Sequence, residues 1–160
     1  TLHCSSAASD VYKRQGGELN LDDVAKANAD TGQLFHEINT LPQVVVILVQ
    51  GAAIAGGLGL TCCGDIVAVT EDAQFSMTET AIGIVPAQIS PFVIARIGLP
   101  ASRRLMLTAG RFKGEEALRL GLADYVVADV DGLDAIEAQI RTGVRRCAPG
   151  ANAELSLIHI

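Results

Sequence analysis

The sequence predicts an α/β domain built around parallel strands, and three observations support this prediction. Residues 44–49 and 66–70 are almost wholly apolar and rich in β-branched residues, which is typical of strands covered on both faces, and we expect them to be adjacent parallel strands. Segments with helical spacing lie between and after these runs, so strands alternate with helices. Hydrophobic residues make up 49% of the 160 residues, which is enough for one domain with a sizeable core.

The other elements are predicted from apolar spacing and from the residues that stop a helix. Residues 21–38 are predicted to be helical, because apolar residues recur at three- and four-residue steps after two aspartates. The helix predicted at 54–63 has no polar face and should be buried. The remaining predictions are a strand at 73–75, irregular chain at 81–86, helices at 91–97, 101–108 and 115–120, a strand at 123–127 and a helix at 132–144.

Charge and cysteine content narrow the possible functions. The net charge of −6 disfavours non-specific binding of nucleic acid, no apolar run is long enough to span a membrane, and no His or Cys spacing resembles a metal site. Cys62 and Cys63 are interpreted as buried residues of a protein in a reducing compartment, with a reactive thiol as the alternative. No secretory signal is evident, so a cytoplasmic location is expected. The basic residues between 96 and 113 form either a local anion-binding patch or solvated helix faces.

Both ends of the chain are predicted to lie outside the domain. Residues 1–15 are small and polar without periodicity, and residues 10–15 and 155–160 resemble adapter-derived tails on translated metagenomic fragments. The domain is therefore placed at residues 16–154, with the fold expected to be truncated at both ends.

A cluster of small residues from Ala53 to Gly59 marks the candidate site, where a strand gives way to a helix. Such a turn presents backbone N–H groups at the positive end of a helix. Glu79 follows in an apolar neighbourhood, and backbone donors beside one carboxylate suit a site that stabilises an oxyanion and moves a proton. Taken alone, the glycines also fit a tight packing turn, and Glu79 also fits a surface loop.

An ordered set of motifs resembles the crotonase superfamily, which contains the enoyl-CoA hydratases and isomerases. The resemblance covers roughly residues 16–127, and the set consists of Gln50-Gly51, Ala55-Gly56-Gly57, Gly64-Asp65, Ala73-Gln74-Phe75, Glu79 and Gly83-Ile84-Val85-Pro86. The resemblance implies a spiral of β-β-α turns and assembly as a homotrimer or hexamer. It also implies an acyl-CoA thioester as substrate, with no bound cofactor and no metal.

The resemblance assigns roles to individual residues. The N–H groups of Gly56 and Gly17 would stabilise the oxygen of a thioester enolate, while Glu79 would relay a proton. An apolar lining of Phe75, Met77, Ile82 and Ile84 is expected to desolvate Glu79 and raise its pKa. Substrate contacts are implied for Ala53, Ala55, Gly57, Gly59, Ile84 and Pro86.

One position departs from the family pattern. Gly59 stands where a second family glutamate would fall, so hydration by two carboxylates cannot proceed in its usual form. Either Glu79 transfers every proton, as suits an isomerase, or a substrate carboxylate or another residue supplies the second function. The sequences 57–60 and 86–92 are similar to the subgroup acting on branched glutaconyl-CoA thioesters, which serves leucine or acyclic terpene degradation.

The leading hypothesis is therefore an enzyme that hydrates a branched enoyl-CoA of the glutaconyl type. A double-bond isomerase using Glu79 alone is the alternative among enzymes. A non-catalytic acyl-CoA-binding fragment is the alternative of a different class. A nucleotide-binding domain fits least well, because the glycine turn lacks the Gly-x-Gly-x-x-Gly spacing.

Overall fold

Two small β-sheets and the helices around them make up the computed structural model, which describes residues 2–4 and 21–156. The first sheet has the order β1-β2-β4-β7 with every neighbouring pair parallel. Its strands are β1 (Leu2–Cys4), β2 (Val46–Val49), β4 (Ile66–Thr70) and β7 (Tyr125–Val127). The second sheet consists of β3 (Ala52–Ile54), β5 (Gln74–Ser76) and β6 (Arg111–Lys113). The α/β class is confirmed.

The helices follow the strands in a repeating order. A strand of the first sheet turns into a strand of the second sheet and then into a helix, as in β2-β3-α2, and Gly51 makes the first of these turns with φ of 76°. The helices are α1 (Leu21–Asn39), α2 (Gly56–Cys62), a 3₁₀ helix (Glu79–Ile82), α3 (Ser90–Ile97), α4 (Leu99–Thr108), α5 (Gly114–Arg119), α6 (Val130–Val144) and α7 (Pro149–Ser156).

Both faces of the first sheet are covered, as its apolar strands predict. Val67 and Val69 lie in the main core with Leu58, Phe75 and Met77, and each of these five side chains is fully buried. On the opposite face, Leu48 and Ala68 pack against Leu133 of α6. The parallel pairing of β2 with β4, which places Val46 opposite Ile66, confirms that the two apolar runs are neighbours.

The structure corrects several predicted boundaries. The helix expected from residue 54 begins at Gly56, because Ala52–Ile54 pairs with β5 as a strand. Strand β6 was not predicted, since Phe112 is its only apolar residue and pairing with β5 maintains its extended form. Helix α7 was not predicted either, because its apolar residues show no helical spacing.

Two segments set aside in the sequence analysis contribute to the fold. Residues 2–4 form β1, which pairs with β2. Ser156 ends α7, and its hydroxyl donates to the carbonyl oxygen of Leu41 at 3.3 Å and contacts the Asp65 carboxylate at 3.2 Å. In the described part of the chain, no helix has both the length and the apolar character needed to cross a membrane.

Candidate functional site

Strands β3 and β5 bring the two halves of the candidate site to one edge of the second sheet. They are parallel, Ile54 lies opposite Ser76, and the Ala55 N–H donates to the Ser76 carbonyl oxygen at 2.9 Å. Because parallel strands run in one direction, the segments that follow β3 and β5 leave the sheet at the same edge. Gly56 follows β3 by two residues and Glu79 follows β5 by three, so both lie just beyond that edge.

Gly56 begins helix α2, two residues later than expected, and the Ala55–Gly56 peptide directs the Gly56 N–H away from the helix. The preceding carbonyl oxygen, of Ala55, accepts from the N–H groups of Leu58 at 3.0 Å and Gly59 at 3.1 Å. A planar trans peptide directs its N–H opposite to its C=O, and no described peptide bond is cis. None of the backbone hydrogen bonds among the described residues uses the Gly56 N–H as donor. It is therefore an available donor, as the first N–H groups of a helix are.

The second predicted oxyanion donor, Gly17, lies outside the described residues. Its role stays a prediction based on the resemblance alone.

Glu79 is the first residue of the 3₁₀ helix and is partly buried. Its Oε2 atom is buried and has no hydrogen-bond partner among the described residues. Burial raises the pKa of this carboxyl, and a hydrogen bond with its own backbone opposes part of that effect. The raised pKa agrees with the sequence-based prediction and keeps the group able both to donate and to accept a proton.

The apolar surroundings of Glu79 differ from those expected. Phe75 and Met77 are fully buried in the core. Ile82 and Ile84, which were expected to enclose the acid, are instead 68% and 42% exposed. The 3₁₀ helix packs on α4, where the Thr80 hydroxyl donates to the Met106 carbonyl oxygen at 2.6 Å. Ile84 remains a predicted substrate contact, with an accessible side chain next to the acid.

Three other predicted substrate contacts are packed inside the fold. The side chain of Ala53 is 1% exposed, and a β-carbon built on Gly57 would lie 3.8 Å from it. Pro86 is buried, and its carbonyl oxygen accepts from the Ser90 N–H at 3.0 Å. Ala53 and Gly57 flank the turn from β3 to α2, and Pro86 lies before the start of α3. Any contact of these residues with a substrate would therefore involve their backbone.

The space beside Gly59 is filled. A β-carbon built there would lie 2.3 Å from Cγ2 of Ile89 and 3.5 Å from Phe35. Helices α2 and α3 therefore pack closely at this glycine, and a glutamate could enter only if Ile89 moved. The Ile89 side chain thus fills the space where a side chain at position 59 would begin.

Two clefts lie away from Gly56 and Glu79. One of about 1000 Å³ is bordered by Asp65, Tyr125 and the C-terminal half of α6, and one of about 410 Å³ by Gln50, Thr70 and Asp129. Neither is lined by Gly56 or Glu79, so cavity size alone does not identify the site indicated by the backbone donor and the acid.

The other candidate reactive side chains, those of Cys62, Cys63 and Arg96, are held within the fold. Burial raises the pKa of both the Cys62 and Cys63 thiols, that of Cys63 to about 12, so neither is a thiolate near neutral pH. The Arg96 guanidinium is bonded to Asp124 at 2.7 Å and to three carbonyl oxygens, which makes it a structural contact. Nothing in local sequence could have indicated that role, because its partners come from two distant loops.

Comparison with known proteins identifies the family and agrees with the fold. The family model described as enoyl-CoA hydratase/isomerase matches residues 4–149. Pseudomonas aeruginosa AtuE has 45% sequence identity and a TM-score of 0.84, with 92% of this chain and 56% of that chain covered. An enoyl-CoA hydratase/isomerase from Marinobacter aquaeolei has 37% identity and a TM-score of 0.81 over the same shares of each chain.

A curated relative has a more specific name. The mitochondrial methylglutaconyl-CoA hydratase 1 of Pyricularia oryzae is 30% identical over 122 residues, which are 76% of this chain and 34% of that protein. The chain spans about half the length of the first curated and structural relatives it matches.

Proposed function

Because the chain belongs to the enoyl-CoA hydratase/isomerase family, we propose that it binds an acyl-CoA thioester at the shared edge of β3 and β5 and hydrates an enoyl group there. The observation that supports this most directly is that the Gly56 N–H and the buried Oε2 atom of Glu79, neither of which has a hydrogen-bond partner among the described residues, lie at this same edge. The Gly56 N–H can stabilise a developing oxyanion, and the Glu79 carboxyl can transfer a proton.

The proposed reaction uses one carboxyl in two steps. As the oxygen of a water molecule adds to the β-carbon, the Glu79 carboxylate takes one proton from that water. The electrons of the carbon–carbon double bond move to form an enolate, whose oxygen accepts a hydrogen bond from the Gly56 N–H. The α-carbon then takes the proton from Glu79. One water has been added, and Glu79 is again ionised.

A branched substrate of the glutaconyl type is our proposal for the acyl group. It is supported by the similarity to a methylglutaconyl-CoA hydratase. Because Glu79 carries out both proton transfers in the proposed reaction, a carboxylate on the substrate would serve to orient the attacking water, for which Gly59 offers no side chain.

Double-bond isomerisation is the second candidate, and the Gly59–Ile89 contact favours it. With one carboxyl in place, Glu79 would remove a proton from one substrate carbon and return it to another, and no water would be added. Hydration changes the mass of the acyl-CoA by one water and isomerisation does not, so mass spectrometry of the product separates the two.

The decisive variant is Glu79→Gln, in the protein completed to the length of its relatives. Glutamine keeps the shape of the side chain but cannot exchange the proton, so turnover of an enoyl-CoA should be lost. Affinity for the acyl-CoA should stay within a few-fold, because the lost interaction belongs to the transition state. Turnover is followed by loss of the conjugated enoyl absorbance, and affinity by calorimetry.

The matched control is Glu154→Gln, which makes the same change at an exposed position of α7 and should leave both quantities unaltered. Near-native turnover by Glu79→Gln would refute the mechanism. Binding without turnover by the unmodified protein would favour the non-catalytic acyl-CoA binder.

A further inference from the structure

Ala55 adopts a backbone conformation that residues with a β-carbon avoid. Its φ is 53° and its ψ is −120°, directly before the Gly56 N–H. Steric contact between the β-carbon and the backbone makes this region unfavourable for every residue except glycine. Strain of this kind persists only where the surrounding structure fixes it, and it occurs often at functional sites.

Hydrogen bonds on both sides of Ala55 keep it in this conformation. Its N–H donates to Ser76 of the neighbouring strand, and its carbonyl oxygen accepts from Leu58 and Gly59 of helix α2. The residue thus joins β3 to α2 and can relax only if those bonds break. The same peptide plane carries the Gly56 N–H, so the dihedral angles of Ala55 set the direction of that donor.

We propose that Ala55 is a positioning residue, whose β-carbon confines the Ala55–Gly56 peptide to one orientation and keeps the Gly56 N–H aimed at the substrate oxygen. This inference rests on the role proposed above for that N–H. Glycine would occupy a broad well at positive φ, whereas steric contacts of the alanine β-carbon narrow the well. The orientation of the donor is therefore gained at a cost in stability.

Ala109 provides a matched control in the same chain. It is the other non-glycine residue with positive φ among the described residues, at 49°, and it ends helix α4. Replacing either alanine by glycine removes one methyl group from a strained position. Ala55 alone precedes the proposed oxyanion donor.

The test compares Ala55→Gly, Ala109→Gly and Ala55→Ser. Both glycine variants should melt about 2–4 °C higher than the unmodified chain, because strain is released. Ala55→Gly should lower kcat roughly tenfold with KM nearly unchanged, a smaller loss than the about 10²–10³ typical of a deleted donor. Ala109→Gly should retain kcat, and Ala55→Ser, which keeps a β-carbon, should lose less kcat than Ala55→Gly does.

A second readout does not depend on turnover. In the 160-residue chain, the ¹⁵N order parameter of the Gly56 amide should fall in Ala55→Gly from about 0.85 toward 0.6, and should not change in Ala109→Gly.

The outcomes separate this inference from the proposed function. An Ala55→Gly variant that is more stable, equally ordered and equally fast would overturn the positioning role. An Ala55→Gly variant that loses both stability and activity would also overturn the positioning role, since that result is expected of a residue that only supports the fold. If the unmodified protein does not turn over enoyl-CoA, the proposed function fails, and the order parameter still tests what Ala55 does to the peptide.

Discussion

Glu79 shows at the scale of one residue how the fold prepares an acid–base group. Position 79 opens a short 3₁₀ helix, so the carboxyl lies close to its own backbone while its Oε2 atom is buried without a hydrogen-bond partner among the residues that the structure describes. A buried carboxylate without a partner is unfavourable, and protonation relieves the penalty. Such an arrangement lowers the stability of the folded chain and is consistent with a group kept for proton transfer.

The raised pKa of Glu79 predicts that the free energy of unfolding depends on pH. Because the folded-state pKa is raised above the ordinary value of 4.5, the contribution of Glu79 to stability is full below that value and is lost as pH rises through the folded-state pKa. Glu79→Gln should therefore be as stable as the unmodified chain near about pH 3 and more stable near about pH 7.

Urea unfolding at these two pH values measures the difference, with Glu154→Gln as the control for an exposed glutamate. A stability difference between Glu79→Gln and the unmodified chain that is the same at both pH values would contradict the desolvation of Glu79.

At the scale of elements, the contact between α2 and α3 explains why a glycine occupies position 59. Ile89, at the N-terminal end of α3, fills the volume where a side chain on Gly59 would begin. The two helices approach closely there, and Phe35 of α1 packs against the same region. The contact lies three residues along α2 from Gly56, so it also supports the N-terminal turn of that helix.

Gly59→Ala should cost about 1–3 kcal/mol of unfolding free energy, because the added methyl group would overlap Ile89. Gly143→Ala is the matched control: this exposed glycine of α6 has nothing within 4 Å of its built β-carbon, and the change should stabilise the chain by up to about 1 kcal/mol.

Denaturant unfolding measures both variants. In the Gly59→Ala background, Ile89→Ala should cost less than it does alone, since it removes the overlapping atoms. A Gly59→Ala chain as stable as the unmodified one would show that the contact adapts freely.

At the scale of the whole molecule, Arg96 connects α3 to the amino ends of two neighbouring strands. Its guanidinium donates to the carbonyl oxygens of Gly64 and Asp65 before β4 and of Leu122 before β7. It also pairs with Asp124, whose carboxylate accepts from the Val67 N–H at 2.8 Å. One side chain thus satisfies several backbone groups of loops far apart in sequence.

Arg96→Met should lower the unfolding free energy by about 2–3 kcal/mol, because methionine keeps the apolar stem but leaves these acceptors unpaired. Arg104→Met removes an exposed pair with Glu116 and should cost less than about 1 kcal/mol. Thermal unfolding of both variants measures the difference, and equal losses would mean that the Arg96 network contributes no more than a surface ion pair.

Local composition and chain order were enough to predict the class of fold and to propose the donor and the acid of the candidate site. Residues 44–49 and 66–70 predicted adjacent buried strands, because an unbroken apolar run has few uses other than a strand covered on both faces. The small residues around Gly56 and the spacing to Glu79 predicted a donor and an acid. Local composition and chain order carry that information.

The surroundings of the candidate site could be seen only in the folded chain. The pairing of Arg111–Lys113 with β5, the Ile89 side chain beside Gly59 and the bonds around Arg96 all join residues distant in sequence. The positive φ of Ala55 could not be predicted from the sequence either. Alanine gives no local signal for it, and the flanking strand and helix impose it. Contacts between distant segments have no periodicity or composition that a single sequence displays, so they become visible only when the chain is folded.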